Sequence, residues 1–229
     1  MLCDLYEPTH SHEHTNRIGV MVVEDHPMVR AGLRALFDTT DEFRIVAEAA
    51  SHEEAVSVYA EVRPDVVCID LMLGEDNGLL LIRELKRLDP SARILVVSVR
   101  DEKAYAERCL QTGALGYVMK REKNAAVLDG LRAVARGDIY VSDEMAMHIV
   151  IKSQKGKDTG SGINALSDRE LEVFQLTGMG LSSRQIAQRL RIGIKTVETH
   201  RDNIRAKLGL PHAAALVREA MLWVQSNAE

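Results

Sequence analysis

Five side chains suited to phosphoryl chemistry are spread along the chain: Glu24 and Asp25 as an adjacent pair, then Asp70, Ser98 and Lys120. Three carboxylates brought to one place repel one another. A hard divalent cation with oxygen ligands, most simply Mg2+, resolves that conflict. A hydroxyl and an ammonium on the far side complete a cradle for an oxyanion. A carboxylate nucleophile, a metal and donors for the equatorial oxygens are the parts that phosphoryl transfer needs. Taken singly, each acid reads as a solvated surface charge, so the chemistry depends on whether the fold gathers them.

Each of the five follows or ends a short apolar run. Ile18–Val23, Arg44–Glu48, Val66–Ile69, Ile94–Val97 and Gly116–Met119 read as strands. The runs at 66–69 and 94–97 are apolar on both faces, as central strands of a parallel sheet covered by helices must be. Glu24 and Asp25 follow the first strand, Asp70 ends the third, Ser98 the fourth and Lys120 the fifth. Helical patterns lie between them near 27–38, 52–62, 78–88, 102–112 and 122–136, the second opened by a capping box, Ser51-x-x-Glu54. Strict alternation predicts an α/β unit with a doubly wound five-stranded parallel sheet, whose sites form at the carboxyl ends of its strands.

After about residue 137 the alternation stops. Asp143 to about Lys152 suits one more helix, and 153–162, with three glycines and no apolar anchor, reads as a flexible linker. Two capping boxes, Ser167-x-x-Glu170 and Ser182-x-x-Gln185, then open short helices. A third helix runs from Gly193 to Gly209 and a fourth from about His212 to Val224, making a small all-α domain of four helices. In the third, Ile194, Val197, Ile204 and Leu208 recur at helical spacing as a buried stripe, and a polar face lies opposite. A short helix locked on a partner helix, polar face outward, is major-groove geometry. The division expected is therefore a tail over 1–16, an α/β domain over 17–137, a linker over 138–162 and a helical domain over 163–229.

Two motif sets carry a resemblance. Val23-Glu24-Asp25-His26-Pro27, Asp70-Leu71-Met72 with Gly78 eight residues on, Ser98, and Gly116-Tyr117-Val118-Met119-Lys120 resemble a response-regulator receiver domain of flavodoxin-like fold. The resemblance implies that Asp70 is the phosphoacceptor. It further implies that Glu24, Asp25, Asp70 and the backbone carbonyl of Met72 hold Mg2+, that Ser98 and Lys120 bind phosphoryl oxygens, and that Tyr117 is the aromatic switch. Gly74, Val99 and Arg121 depart from the family pattern without removing a charge or a ligand. Met72 and Arg100 would flank the phosphoryl group. A thioether cannot orient an attacking water, so slow autodephosphorylation is expected.

In the C-terminal part, Leu166-Ser167-x-Arg169-Glu170, Gly180-Leu181-Ser182 and Thr196-Val197-Glu198-Thr199-His200-Arg201-x-Asn203-Ile204 resemble the LuxR-type helix-turn-helix of NarL/FixJ-type regulators. That resemblance implies that Glu198, Thr199 and Asp202 face bases in double-stranded DNA. Lys195, Thr196, Arg201, Asn203 and Lys207 are better placed for the phosphate backbone. Together the two resemblances imply a two-component regulator rather than an enzyme, with a sensor histidine kinase as phosphodonor and a homodimer as the phosphorylated or DNA-bound form. The small-residue run Ala213-Ala214-Ala215 in the last helix permits close helix approach.

Composition agrees with this and excludes little else. Hydrophobic residues make up 46% and charged residues 28%, as in globular chains. No apolar run reaches the ~20 residues of a spanning helix, and the polar first residues lack the apolar core of a signal peptide, so a cytoplasmic protein is expected. Three scattered cysteines form no disulfide framework. The net charge of −5 divides unevenly, with nine Lys+Arg against seven Asp+Glu over 163–229 and the acidic excess elsewhere. A haloacid-dehalogenase-type phosphatase would need a second acid where Met72 stands. A lipid-sensing regulator would need an aromatic-lined pocket, and aromatics are only 4% of the chain.

Overall fold

A computed structural model describes residues 17–74, 76–154 and 162–226. The expected tail over 1–16, and residues 155–161 of the expected linker, lie outside the described residues. The chain begins with five β-α units: β1 Ile18–Val23, α1 Pro27–Phe37, β2 Phe43–Ala49, α2 His52–Val62, β3 Val66–Ile69, then a two-residue hairpin, β4 Met72–Leu73 and β5 Asp76–Asn77. It continues with α3 Gly78–Leu88, β6 Ile94–Ser98, α4 Glu102–Thr112, β7 Gly116–Met119 and α5 Asn124–Arg136. Five strands pair in parallel in the order β2-β1-β3-β6-β7.

Strand alternation sorts the side chains to the two faces. Val20, Val22, Val66, Cys68, Leu95 and Val97 pack with Leu33, Phe37, Leu131 and Val134 of α1 and α5. Met21, Val23, Val67, Ile69, Ile94 and Val96 pack with Leu81, Ile82, Leu85 and Tyr105 on the other face. That second cluster is continuous with the apolar core of the C-terminal helices, through Leu171, Phe174 and Leu176.

The remaining elements are α6 Asp143–Gln154, a 3-10 turn Gly162–Ala165, α7 Asp168–Gly178, α8 Ser183–Arg189, α9 Ile194–Leu208 and α10 Ala213–Ser226. Both C-terminal capping boxes form as the spacing predicts, with each serine accepting the N3 amide and Glu170 or Gln185 reaching back to the N-cap amide. The Ser51 box forms only in half. Ser51 accepts from the Glu54 amide, but the Glu54 carboxylate takes the Ala50 N–H at 2.7 Å. In α9 the buried stripe is Val197 and Ile204. Ile194, expected inside, is 50% exposed because it opens the helix before α9 meets its partners. Gly178 lets α7 and α10 touch, since a Cβ there would meet the Ala220 carbonyl oxygen at 2.3 Å.

Between α5 and α6 the chain lies along the open edge of the sheet. Tyr140 N–H donates to Leu115 O at 2.9 Å and Tyr117 N–H donates to Tyr140 O at 2.8 Å. Ser142 then caps α6, its own N–H held at 2.9 Å by the buried carboxylate of Glu102 at the start of α4.

Candidate functional site

The parallel sheet brings the five residues to one edge. Glu24 N–H donates to Ala49 O, Asp70 N–H to Val23 O and Lys120 N–H to Ser98 O, so each strand tip is fixed by its neighbour's ladder. The Lys120 ammonium donates to Asp70 Oδ2 at 2.7 Å and to Glu24 Oε2 at 2.5 Å. Burial works against that charge, but Asp70 and Glu24 outweigh it and hold the lysine above its ordinary pKa. Glu24 and Asp70 are 2% and 3% exposed, and Ser98 is fully buried. Gly78 lies tight against the backbone that follows Asp70, where a Cβ would stand 2.8 Å from the Asp70 carbonyl oxygen and 2.6 Å from Leu71 Cα.

One atom in this arrangement lacks a partner. Asp70 Oδ1 is buried and has no hydrogen bond, while Oδ2 is held by Lys120. A buried carboxylate oxygen without a donor fits a cation or an incoming electrophile. Among the described residues, Glu24, Asp25 and His26 place one ligand atom each within 4.8 Å of one another, and Asp70, expected in the same ligand set, is not part of that group. His26 was not among the metal residues expected from the sequence. Its Nδ1 lies 2.7 Å from Asp25 Oδ1 and 3.2 Å from Glu24 Oε1, and Asp25 raises its pKa by hydrogen bonding and charge. Asp25 Oδ2 also accepts from the Gly74 N–H at 2.9 Å. The donor set, carboxylates and an imidazole, suits a divalent cation.

Tyr117 is buried with its hydroxyl donating to the Arg100 carbonyl at 2.8 Å, and desolvation pushes its phenol well above the ordinary value. Arg100 lays its guanidinium against Met72 Sδ and over the Tyr105 ring, 5.9 Å from the ring centroid.

A second set of contacts joins the α/β unit to the helical one. Asn77, which caps α3 through Leu79 N–H, donates from Nδ2 to Glu172 Oε1 at 2.5 Å. Arg108 of α4 reaches Asp168 Oδ1 at 3.2 Å and Ile163 O at 3.1 Å, and Arg83 of α3 reaches Asp168 Oδ2 at 3.2 Å. Tyr105 hydroxyl donates to Gln175 Oε1 at 3.2 Å inside the interface. A cavity of about 80 Å³ remains there, lined by Met72, Asn77, Arg100, Tyr105, Gln175 and Arg189 among others. The sequence gives no sign of this contact, because Asp168 reads as an ordinary first-turn helix acid and Glu172 as a solvated charge one turn on.

On α9, Lys195, Thr196, Glu198, Thr199, Asp202 and Asn203 are exposed on one surface, as the helical spacing predicts. Arg201 is half-buried and donates to Ser183 Oγ at 2.7 Å, which ties α9 to α8. Lys207 is turned to its own domain, donating to the buried Glu170 carboxylate at 2.6 Å. Asp202 pairs with Arg205 at 3.0 Å. Trp223 of the last helix packs on Phe174, ring centroids 5.8 Å apart.

A parallel five-stranded sheet with an acidic pocket at its carboxyl edge, joined to a helix-turn-helix, defines a response regulator. Residues 20–132 match the response regulator receiver domain and residues 164–220 match the bacterial regulatory proteins of the luxR family. The chain is 30% identical to the transcriptional regulatory protein DegU of Brevibacillus brevis over 92% of its own length and 96% of that protein. It is 30% identical to the oxygen regulatory protein NreC of Staphylococcus carnosus over 88% of its length and 96% of that protein. A solved structure of the RcsB response regulator of Salmonella typhimurium superposes with a TM-score of 0.69 at 25% identity, covering 92% of this chain and 98% of that one. The chain belongs to the NarL/FixJ-type response regulators, which are transcriptional regulators rather than enzymes. No described helix is long and apolar enough to cross a membrane.

Proposed function

We propose that a sensor histidine kinase phosphorylates Asp70 in this chain and that the phosphoryl group controls its binding to specific double-stranded DNA. The observation that carries the reading is the state of Asp70, one oxygen on Lys120 and the other buried with no partner. Glu24, Asp25 and Asp70, with the Met72 carbonyl, would hold Mg2+, which when bound would supply positive charge to the phosphoryl oxygens and relieve the crowding of carboxylates. Ser98 and Lys120 take those oxygens as hydrogen-bond donors. Tyr117, anchored on the Arg100 carbonyl, follows the movement of Ser98.

We take 17–137 as the receiver, 138–162 as the connection and 163–229 as the DNA-binding domain of a cytoplasmic regulator. Lys195, Thr196, Arg201 and Asn203 serve the DNA backbone, and Glu198, Thr199 and Asp202 face base edges. Lys207 contributes to DNA only after leaving Glu170. The polar surface of α9 is exposed even with the receiver held against α7. Release of α7 therefore acts on how two copies pair on half-sites one helical turn apart, rather than by uncovering α9. DegU, similar over nearly the full chain, is a transcriptional regulatory protein.

The test is acetyl phosphate labelling with Mg2+ of the wild-type chain and Asp70→Asn, with binding to genomic DNA fragments measured in the same samples. Label in wild type alone, accompanied by tighter DNA binding, supports the reading. Equal label in both, or DNA binding indifferent to label, defeats it.

A further inference from the structure

The contacts of Arg100 form an unbroken path from the pocket to the DNA-binding domain. Its carbonyl oxygen receives the Tyr117 hydroxyl at 2.8 Å. Its N–H faces Ser98 Oγ at 3.4 Å. Its guanidinium touches the sulfur of Met72, two residues beyond Asp70, and stands 5.9 Å from the centroid of the Tyr105 ring. The Tyr105 hydroxyl in turn donates to Gln175 of α7 inside the interface. Arg100 is paired with a thioether and an aromatic face, both weak partners for a guanidinium.

We infer that Arg100 is a positioning residue that holds Tyr105 against Gln175 while Asp70 is unmodified and lets go when Asp70 carries a phosphoryl group. This rests on Asp70 being the phosphoacceptor. A dianionic group on Asp70 offers charged oxygens beside Met72, where the guanidinium already lies, and a bidentate guanidinium–phosphoryl pair is far stronger than a cation–π contact. Arg100 then turns toward the oxygens. Tyr105 loses the cation above its ring, and its bond to Gln175 is left as a single neutral contact beside a cavity of about 80 Å³. The interface loosens at its centre, while Arg83 and Arg108 still hold its rim at Asp168. Two discrete arrangements of one side chain thus bias the domain contact, which is the physical requirement for coupling over a distance.

The full-length chain, with beryllofluoride and Mg2+ as the phosphoryl probe, provides the test. Probe occupancy is read by 19F NMR, and domain separation by the radius of gyration from small-angle X-ray scattering. At saturating probe the wild-type ratio of released to docked molecules is expected to rise about tenfold. Arg100→Ala is expected to be partly released without probe and to change less than about twofold at matched occupancy. Arg100→Lys, which keeps the charge, restores part of the response. Tyr105→Phe keeps the ring and loses the Gln175 bond, so its effect should be non-additive with Arg100→Ala. An Arg100→Ala chain that starts docked and releases like wild type overturns the inference. So does additivity of the two substitutions. Absence of bound probe in the wild type would instead strike at the phosphoacceptor reading, which the fluorine signal reports separately.

Discussion

At the residue scale the energetics centre on charges that the pocket holds under strain of solvation. A buried acceptor without a donor costs about 1–3 kcal/mol, and Asp70 Oδ1 is such an acceptor. Lys120 is the shared counter-charge of Glu24 and Asp70. Lys120→Ala is expected to lower stability by about 3 kcal/mol in urea unfolding without Mg2+, because it leaves the Asp70 carboxylate buried without its ammonium partner and Glu24 with His26 alone. Saturating Mg2+ should return part of that loss, since a ligand that binds only the folded chain stabilises it by mass action. Unfolding curves of both proteins that ignore Mg2+ would remove the metal from the scheme. The Met72 side chain bears on the lifetime of the phosphoryl group instead. It meets Arg100 and offers no donor or strong acceptor to a water. Met72→Asn, which can orient one, is expected to shorten the half-life of 32P label by about tenfold. An unchanged half-life would mean that access of water, rather than its orientation, sets the rate.

At the element scale the capping boxes and close helix approaches decide how firmly α7 is built. Glu170 is 4% exposed and receives both Ser167 N–H at 2.7 Å and the Lys207 ammonium at 2.6 Å. Burial pushes its carboxyl up, but Lys207 and Ser167 outweigh burial and hold it below the ordinary 4.5. A pKa depressed by folding contributes stability that is present above the unfolded value and lost as pH falls through the folded one. Unfolding of the DNA-binding domain, followed by its single tryptophan, Trp223, should therefore steepen below about pH 4.5. Glu170→Gln should cost about 1–2 kcal/mol at pH 7 and flatten that acid limb. Identical pH profiles for the two proteins would show that the pair is energetically silent. These boxes were legible because each is a local pattern of three or four residues. The central strands at 66–69 and 94–97 were legible for the same reason, as short runs apolar on both faces. The β4–β5 hairpin was not, since two residues per strand carry no periodicity. Nor was the edge pairing of Tyr140 with β7, which depends on backbone groups 23 and 25 residues apart in the chain and on no side-chain signal. Within the site, Glu24, Asp25, Asp70, Ser98 and Lys120 could be read because strand ends in a parallel sheet share one edge. His26 could have been read from its place beside the acid pair. The contacts of Asn77 and Arg100 could not, because they are made to parts of the chain that only the folded arrangement brings near.

At the scale of the whole molecule, the contact between the two domains lies against the loop that carries the pocket. Asn77 belongs to the segment that follows Asp70, and it both caps α3 and holds Glu172. Asp168 gathers Arg83 and Arg108 at once. Arg83 is 62% exposed, so its pairing contributes little, whereas Arg108 is 12% exposed and also binds Ile163 O. If charge on Asp70 weakens this contact, then weakening the contact must favour charge on Asp70 by the same factor, because binding free energies around a closed cycle are reciprocal. Asp168→Ala removes the acceptor of both arginines while leaving every pocket residue in place. It is expected to open the molecule in scattering experiments, to tighten beryllofluoride binding several-fold, up to about tenfold, and to raise DNA affinity without the probe. The affinity is read by titration with 19F detection, the DNA binding by anisotropy at fixed salt, since phosphate contacts make it salt-dependent. An Asp168→Ala chain that opens yet binds the probe no more tightly would show that the domain contact and the pocket are energetically independent, and that phosphorylation reaches the DNA through pairing of receivers alone.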